Sequence, residues 1–160
     1  MESNKLFSPE IGARLSAYIT SVDTTSRVVK LWAQVDQENA NNLENAMENL
    51  QQSLEASDNS LNFNKLQVGD LCCAKFEQDA RWYRARVVSK CPGDRSVTVL
   101  FVDYGNIEVV DISKTTACPA EVASIPAQAS ECFCTRVEAA ADGVWSTEAA
   151  SFLAEQAFPH

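Results

Sequence analysis

Five aromatic residues, Phe76, Trp82, Tyr83, Phe101 and Tyr104, fall within 29 residues of a 160-residue chain that holds 13 aromatics in all. Each lies near the end of an expected strand, beside a turn. Ring faces that converge at one end of a small barrel make a box for a weakly hydrated cation, contributing about 0.5–1 kcal/mol per exposed contact and about 2 kcal/mol when desolvated. The same rings could instead fill the barrel core, and strand parity leaves both readings open. Tyr83 shares a side with Ala85 and Val87, which suits core or rim. Trp82 shares its side with Arg84 and Arg86 and reads as a ring shielding the outside.

No other chemistry converges in this way. The only histidine is the terminal His160, so a serine or cysteine nucleophile has no base to work with. Gly12, Gly69, Gly93, Gly105 and Gly143 are isolated and form no phosphate-cradling loop. The six cysteines, Cys72, Cys73, Cys91, Cys118, Cys132 and Cys134, include no Cys-x-x-Cys pair and read as reduced, mostly buried thiols rather than zinc ligands. The expectation is a protein with no catalytic residues, no metal and no cofactor.

The elements that position the rings follow from periodicity. Residues 13–22 and 27–36 are rich in β-branched and aromatic side chains around the turn-forming Asp23-Thr-Thr-Ser26, and predict a β-hairpin. From residue 39 to 57 the spacing of Leu43, Met47, Leu50 and Leu54 predicts an amphipathic helix with a capping box at Asn41 and Glu44, about 27 Å long. Residues 71–76, 82–88, 96–102 and 107–111 predict four short strands of a small, bent barrel. Residues 131–137 predict another strand, and 147–157 a helix capped by Ser146 or Thr147, with Ala150, Phe152, Leu153 and Ala157 as its apolar side. The fold class is mainly β with α (α+β). Its parts are residues 1–60 with a linker helix, a barrel at 61–116, and residues 117–160, with strands from the two chain ends free to pair with each other.

The chain carries 22 acidic and 13 basic residues, a net charge of −9. That disfavours phosphate-backbone binders and anionic membranes. No apolar run approaches the roughly 20 residues of a membrane span, and the first five residues lead into no secretory stretch, so the cytosol or nucleus is expected.

Three segments then match a family. Val68-Gly-Asp-Leu-Cys-Cys-Ala-Lys-Phe76, Trp82-Tyr-Arg-Ala-Arg86 and Val99-Leu-Phe-Val-Asp-Tyr-Gly-Asn106 resemble the Tudor domain in its extended form, in which the barrel is inserted, through a long helix, into an oligonucleotide-binding-like, staphylococcal-nuclease-type lobe. The resemblance covers nearly the whole chain. It implies recognition of methylated arginine, chiefly symmetric dimethylarginine in Arg-Gly or Arg-Ala rich tails such as those of PIWI-family Argonautes, in the cytoplasm or perinuclear germ granules. By motif position the cage falls on Phe76, Tyr83, Phe101 and Tyr104, with the Asn106 amide against the guanidinium. Asp103 could add charge, but a turn aspartate more often bonds backbone N–H groups. Arg84 and Arg86 are expected at the surface or in salt bridges, since they would repel a cationic tail. The alternatives are a reader of unmethylated arginine in an inter-lobe groove and a single-strand RNA module. A residual nuclease is not expected, since the lobe carries no metal-carboxylate and arginine set.

Overall fold

The computed structural model describes residues 9–140 and 142–157. The readings of His160 and of the first five residues lie outside them. The described residues are α+β, with two antiparallel sheets and three α-helices. Strands β1 (Tyr18–Asp23) and β2 (Val28–Gln34) form the expected hairpin, and its turn is closed by Asp23, whose carboxylate accepts from the Thr25 N–H (2.8 Å) and hydroxyl (2.6 Å). The third strand of this sheet is β8 (Ala129–Glu138), which pairs with β2, so both chain ends do build one sheet in the order β1-β2-β8.

Between them lies a five-stranded sheet in the order β6-β5-β4-β3-β7, from β3 (Leu71–Lys75), β4 (Trp82–Cys91), β5 (Ser96–Phe101), β6 (Ile107–Asp111) and β7 (Thr115–Ala117). One face of every strand from β3 to β6 feeds a single core of Cys72, Ala74, Ala85, Val87, Val97, Val99, Phe101 and Val110, so the sheet is curled around it. The period of two sends the alternate residues Cys73 and Trp82 to the outer face, where they meet Leu43, Met47 and Leu54 of helix α1 (Gln37–Glu55). The apolar stripe read from the sequence is thus the surface that clamps α1 to the barrel. Trp82 does lie on the outside of the barrel, but α1 covers it to 6% exposure, and its indole N–H donates to Glu55 (2.7 Å).

Several expectations are corrected. Helix α1 starts earlier, capped by Asp36, whose carboxylate accepts from the Asn39 N–H (3.0 Å). Asp36 offers a free carboxylate one residue ahead of good helix formers, which leaves Asn41 as an exposed interior position. Strand β7 and the four-residue helix α2 (Ala120–Ala123) were not anticipated. In helix α3 (Thr147–Ala157), capped by Ser146 (3.1 Å to the Ala149 N–H), Phe152 is 60% exposed. Two residues turn a helix by about 200°, so Phe152 cannot share the stripe of Ala150, Leu153 and Ala157. Of the six free cysteines only Cys72 and Cys73 are buried. Cys91 ends β4 at a turn and Cys132 lies on a solvent side of β8, and both are exposed.

Candidate functional site

The barrel brings four of the five rings together at one end. Phe76 closes the β3–β4 hairpin by donating its N–H to the Arg81 carbonyl (2.8 Å), and Tyr83 stands next to it one strand over. The ring centroids of Phe76 and Tyr83 are 6.2 Å apart, of Phe76 and Phe101 5.6 Å, of Tyr83 and Phe101 6.1 Å, and of Tyr83 and Tyr104 5.4 Å. Each pair is close to perpendicular, between 78° and 87°. Perpendicular neighbours are walls and floor rather than a stack. Phe101, 1% exposed, belongs to the barrel core and forms the floor, while Phe76, Tyr83 and Tyr104 are half-buried. The core placement therefore applies to Phe101, while the other three rings lie half-buried at the barrel end. Asn106 is half-buried beside them, its backbone carbonyl accepting from the Phe101 N–H (2.9 Å).

Carboxylates surround the box. The Tyr83 hydroxyl donates to Asp79 (2.5 Å), and burial, then this bond, push the Tyr83 phenol well above its usual range. Burial followed by the charges of Glu44 and Asp103 pushes Tyr104 to about 12. On β6, burial, then Glu77 and Asp79, raise the Glu108 carboxyl. Both phenols are neutral at physiological pH and sit among charges of both signs, acidic Asp79 and cationic Arg81.

Arg84 and Asp103 are the sequence neighbours of the two tyrosines and line the same narrow cavity. Arg84 was expected at the surface or in a salt bridge, and takes only the second part: it is 1% exposed. Its Nε and Nη2 donate to the two oxygens of Asp103 (2.9 and 2.6 Å), and the remaining N–H groups donate to the carbonyls of Val122, Ile125 and Pro126 (2.6–3.0 Å). Asp103 also accepts from the Gln128 N–H (3.0 Å), so its charge is consumed inside the fold. Arg86 stays exposed and donates to the Gly69 carbonyl (2.8 Å).

The β1-β2-β8 sheet holds the turn that carries Tyr104. Thr20 donates to the Tyr104 carbonyl (2.6 Å), Gln34 to the Asp103 carbonyl (2.7 Å), and the Ala129 N–H to the Val102 carbonyl (3.2 Å). Trp32 packs against Gly105, where any Cβ would overlap its indole and where φ is +92°. Sequence reading missed Trp32, Thr20 and Gln34, because nothing local links them to a turn some 70 to 85 residues away. Among the described residues no group of three or more His, Cys, Asp and Glu side chains could hold a metal ion, and no helix is long and apolar enough to cross a membrane.

A five-stranded barrel clamped by a long helix and flanked by a sheet from both chain ends, with a ring box at the barrel end, defines an extended Tudor architecture. The Tudor domain family matches residues 10–134, and the chain belongs to it. It is 33% identical over 149 residues to a Tudor domain-containing 6-like protein of Xenopus laevis, covering 91% of this chain. It is 44% identical over 82 residues to Tudor domain-containing protein 1 of Danio rerio, covering 51% of this chain. In each case the match spans 7% of the relative's length. Among solved structures, the extended Tudor domain of BmPAPI in complex with sDMA superposes with a TM-score of 0.77 at 26% identity, covering 88% of this chain and 68% of that one. The human TDRD1 extended Tudor domain, in complex with a symmetrically dimethylated E2F peptide, gives 0.77 at 24% identity, covering 98% and 75%.

Proposed function

We propose that this chain is a non-enzymatic module that binds symmetrically dimethylated arginine in Arg-Gly or Arg-Ala rich tails, with PIWI-family Argonautes as partners in cytoplasmic germ granules. The observation that carries the reading is the box of Phe76, Tyr83, Phe101 and Tyr104, with near-perpendicular rings and a carboxylate rim. A dimethylguanidinium is flat, always charged and poorer in N–H donors than arginine, so it enters between rings at a lower desolvation cost. Each buried methyl adds up to about 0.8 kcal/mol, and the Asn106 amide oxygen accepts a remaining N–H. The related extended Tudor domains captured with sDMA and with a symmetrically dimethylated peptide support the same ligand class.

The test is a calorimetric titration of one Arg-Gly peptide in unmodified, symmetric and asymmetric dimethyl forms. Tightest binding of the symmetric form is expected. Equal affinity for all three, or none, would remove the methyl-reading role.

A further inference from the structure

The β3–β4 loop carries Arg81 to α1 directly beside the box. Its guanidinium pairs with the Glu48 carboxylate, and both residues line two concavities at once. One is a narrow cavity of about 30 Å³ bordered by Tyr83 and Tyr104. The other is an open groove of about 560 Å³ that runs over Trp82 to Glu55 and Lys75. The pair, together with Gln51, which lines both as well and is bonded to the Trp82 backbone, is therefore the partition between a solvent-open groove and the two tyrosines. The positive charge of Arg81 reaches both phenols, opposing the upward push of burial on each.

The backbone here is pinned while the side chain is not. The Arg81 N–H donates to Asp79 (3.0 Å) and its carbonyl accepts from Phe76 (2.8 Å), behind an Ala80 held at φ +57°. The side chains of Arg81 and Glu48 are 44% and 58% exposed, and such a pair exchanges against another cation at small cost. Moving Arg81 out of its share of the partition needs only a change of rotamer.

Building on the methylarginine reading, we propose that Arg81 is an internal stand-in for the ligand: it occupies Glu48 in the free protein and yields that carboxylate to a cationic side chain of the bound arginine-rich tail. The argument is chemical identity. Arg81 is a guanidinium on a carboxylate at the edge of a guanidinium box, and a carboxylate accepts charge-assisted hydrogen bonds from an incoming arginine equally well. While Arg81 is in place Glu48 is neutralised and attracts no stray cation. When the tail arrives, one guanidinium replaces another on Glu48, and the freed Arg81 turns into the open groove.

The test titrates the symmetric-dimethyl Arg-Gly peptide into the whole chain and into Arg81→Gln, Arg81→Lys and Glu48→Gln, at low and high salt. Arg81→Gln is expected to bind about two- to five-fold tighter at low salt, and Glu48→Gln to bind weaker by a similar factor. The gain should vanish near about 1 M salt, where the Debye length falls to about 3 Å. Arg81→Lys keeps the charge and should stay near wild type, and superimposable thermal melts exclude misfolding. Arg81→Gln binding no tighter than wild type, or Glu48→Gln binding unchanged, overturns the stand-in while leaving the methylarginine reading intact. A wild-type chain that binds no such peptide overturns that reading, and the stand-in with it.

Discussion

Tyr83 and Arg84 are neighbours that point to opposite faces of β4, and Asp103 precedes Tyr104 in the turn after β5, so each member of the buried ion pair is the sequence neighbour of one of the two tyrosines. Asp103→Ala leaves an uncompensated guanidinium inside the fold and should cost about 3–5 kcal/mol in urea unfolding. Asp103→Asn keeps an acceptor for the Gln128 N–H and should cost less. Tyr104→Ala should remove most of the methyl-dependent affinity in the peptide titration, with a smaller loss of stability because the ring is half-exposed. Acid should weaken tail binding early. The Glu108 carboxyl is raised by burial and then by its acidic neighbours, so as pH falls its charge is lost above the usual carboxylate range, and attraction for a cation is lost with it. The same sign makes charged Glu108 a small destabiliser at neutral pH. Glu108→Gln should flatten the upper part of the affinity–pH curve between pH 4 and 8. The ring cluster was legible in the sequence because each member sits at a strand end in a distinctive motif. The burial of Arg84 was not. Parity gave it the same outer face as Arg86, and the residues that cover one and not the other come from 122–128, about forty positions on.

Helix α1 was legible as an element because its apolar spacing is a local property, whereas its start was not: Asp36 and Asn41 are both capping types, and only the observed bond to the Asn39 N–H distinguishes them. Asp36→Ala should lower stability by about 1 kcal/mol. The three-residue β7 and four-residue α2 are too short to show a period, and exist because β3 and Arg84 supply their partners. The Gly105 turn depends on an element far away. Gly105→Ala combines a backbone conformation that side chains rarely adopt with overlap on Trp32, and should cost more than the roughly 1–3 kcal/mol of the strain alone. Adding Trp32→Ala should recover the overlap part and leave the strain, a difference that urea unfolding of the single and double variants will show.

Across the whole molecule the charge is unevenly spread: residues 1–60 and 117–160 each carry −5, and the barrel at 61–116 carries +1. On the proposed reading, acidic flanks beside a nearly neutral box would steer an arginine-rich tail toward the rings. Association rate should therefore fall steeply with salt in stopped-flow mixing, while the preference for the methylated peptide falls less, since ring contacts are less screened than open charge. The double attachment of the Tyr104 turn, by residues 20 and 34 on one side and 128 and 129 on the other, has a further consequence for how the protein is made. Every barrel strand has left the ribosome well before Gln128 and Ala129 do, and at about 5–20 residues per second this interval lasts on the order of a second. During it the nascent barrel holds Asp103 without its Gln128 N–H, and Arg84 without the carbonyls of 122–126. A chain stalled at residue 116 would therefore display the rings with the Thr20 and Gln34 half of the brace in place and the Gln128 and Ala129 half missing.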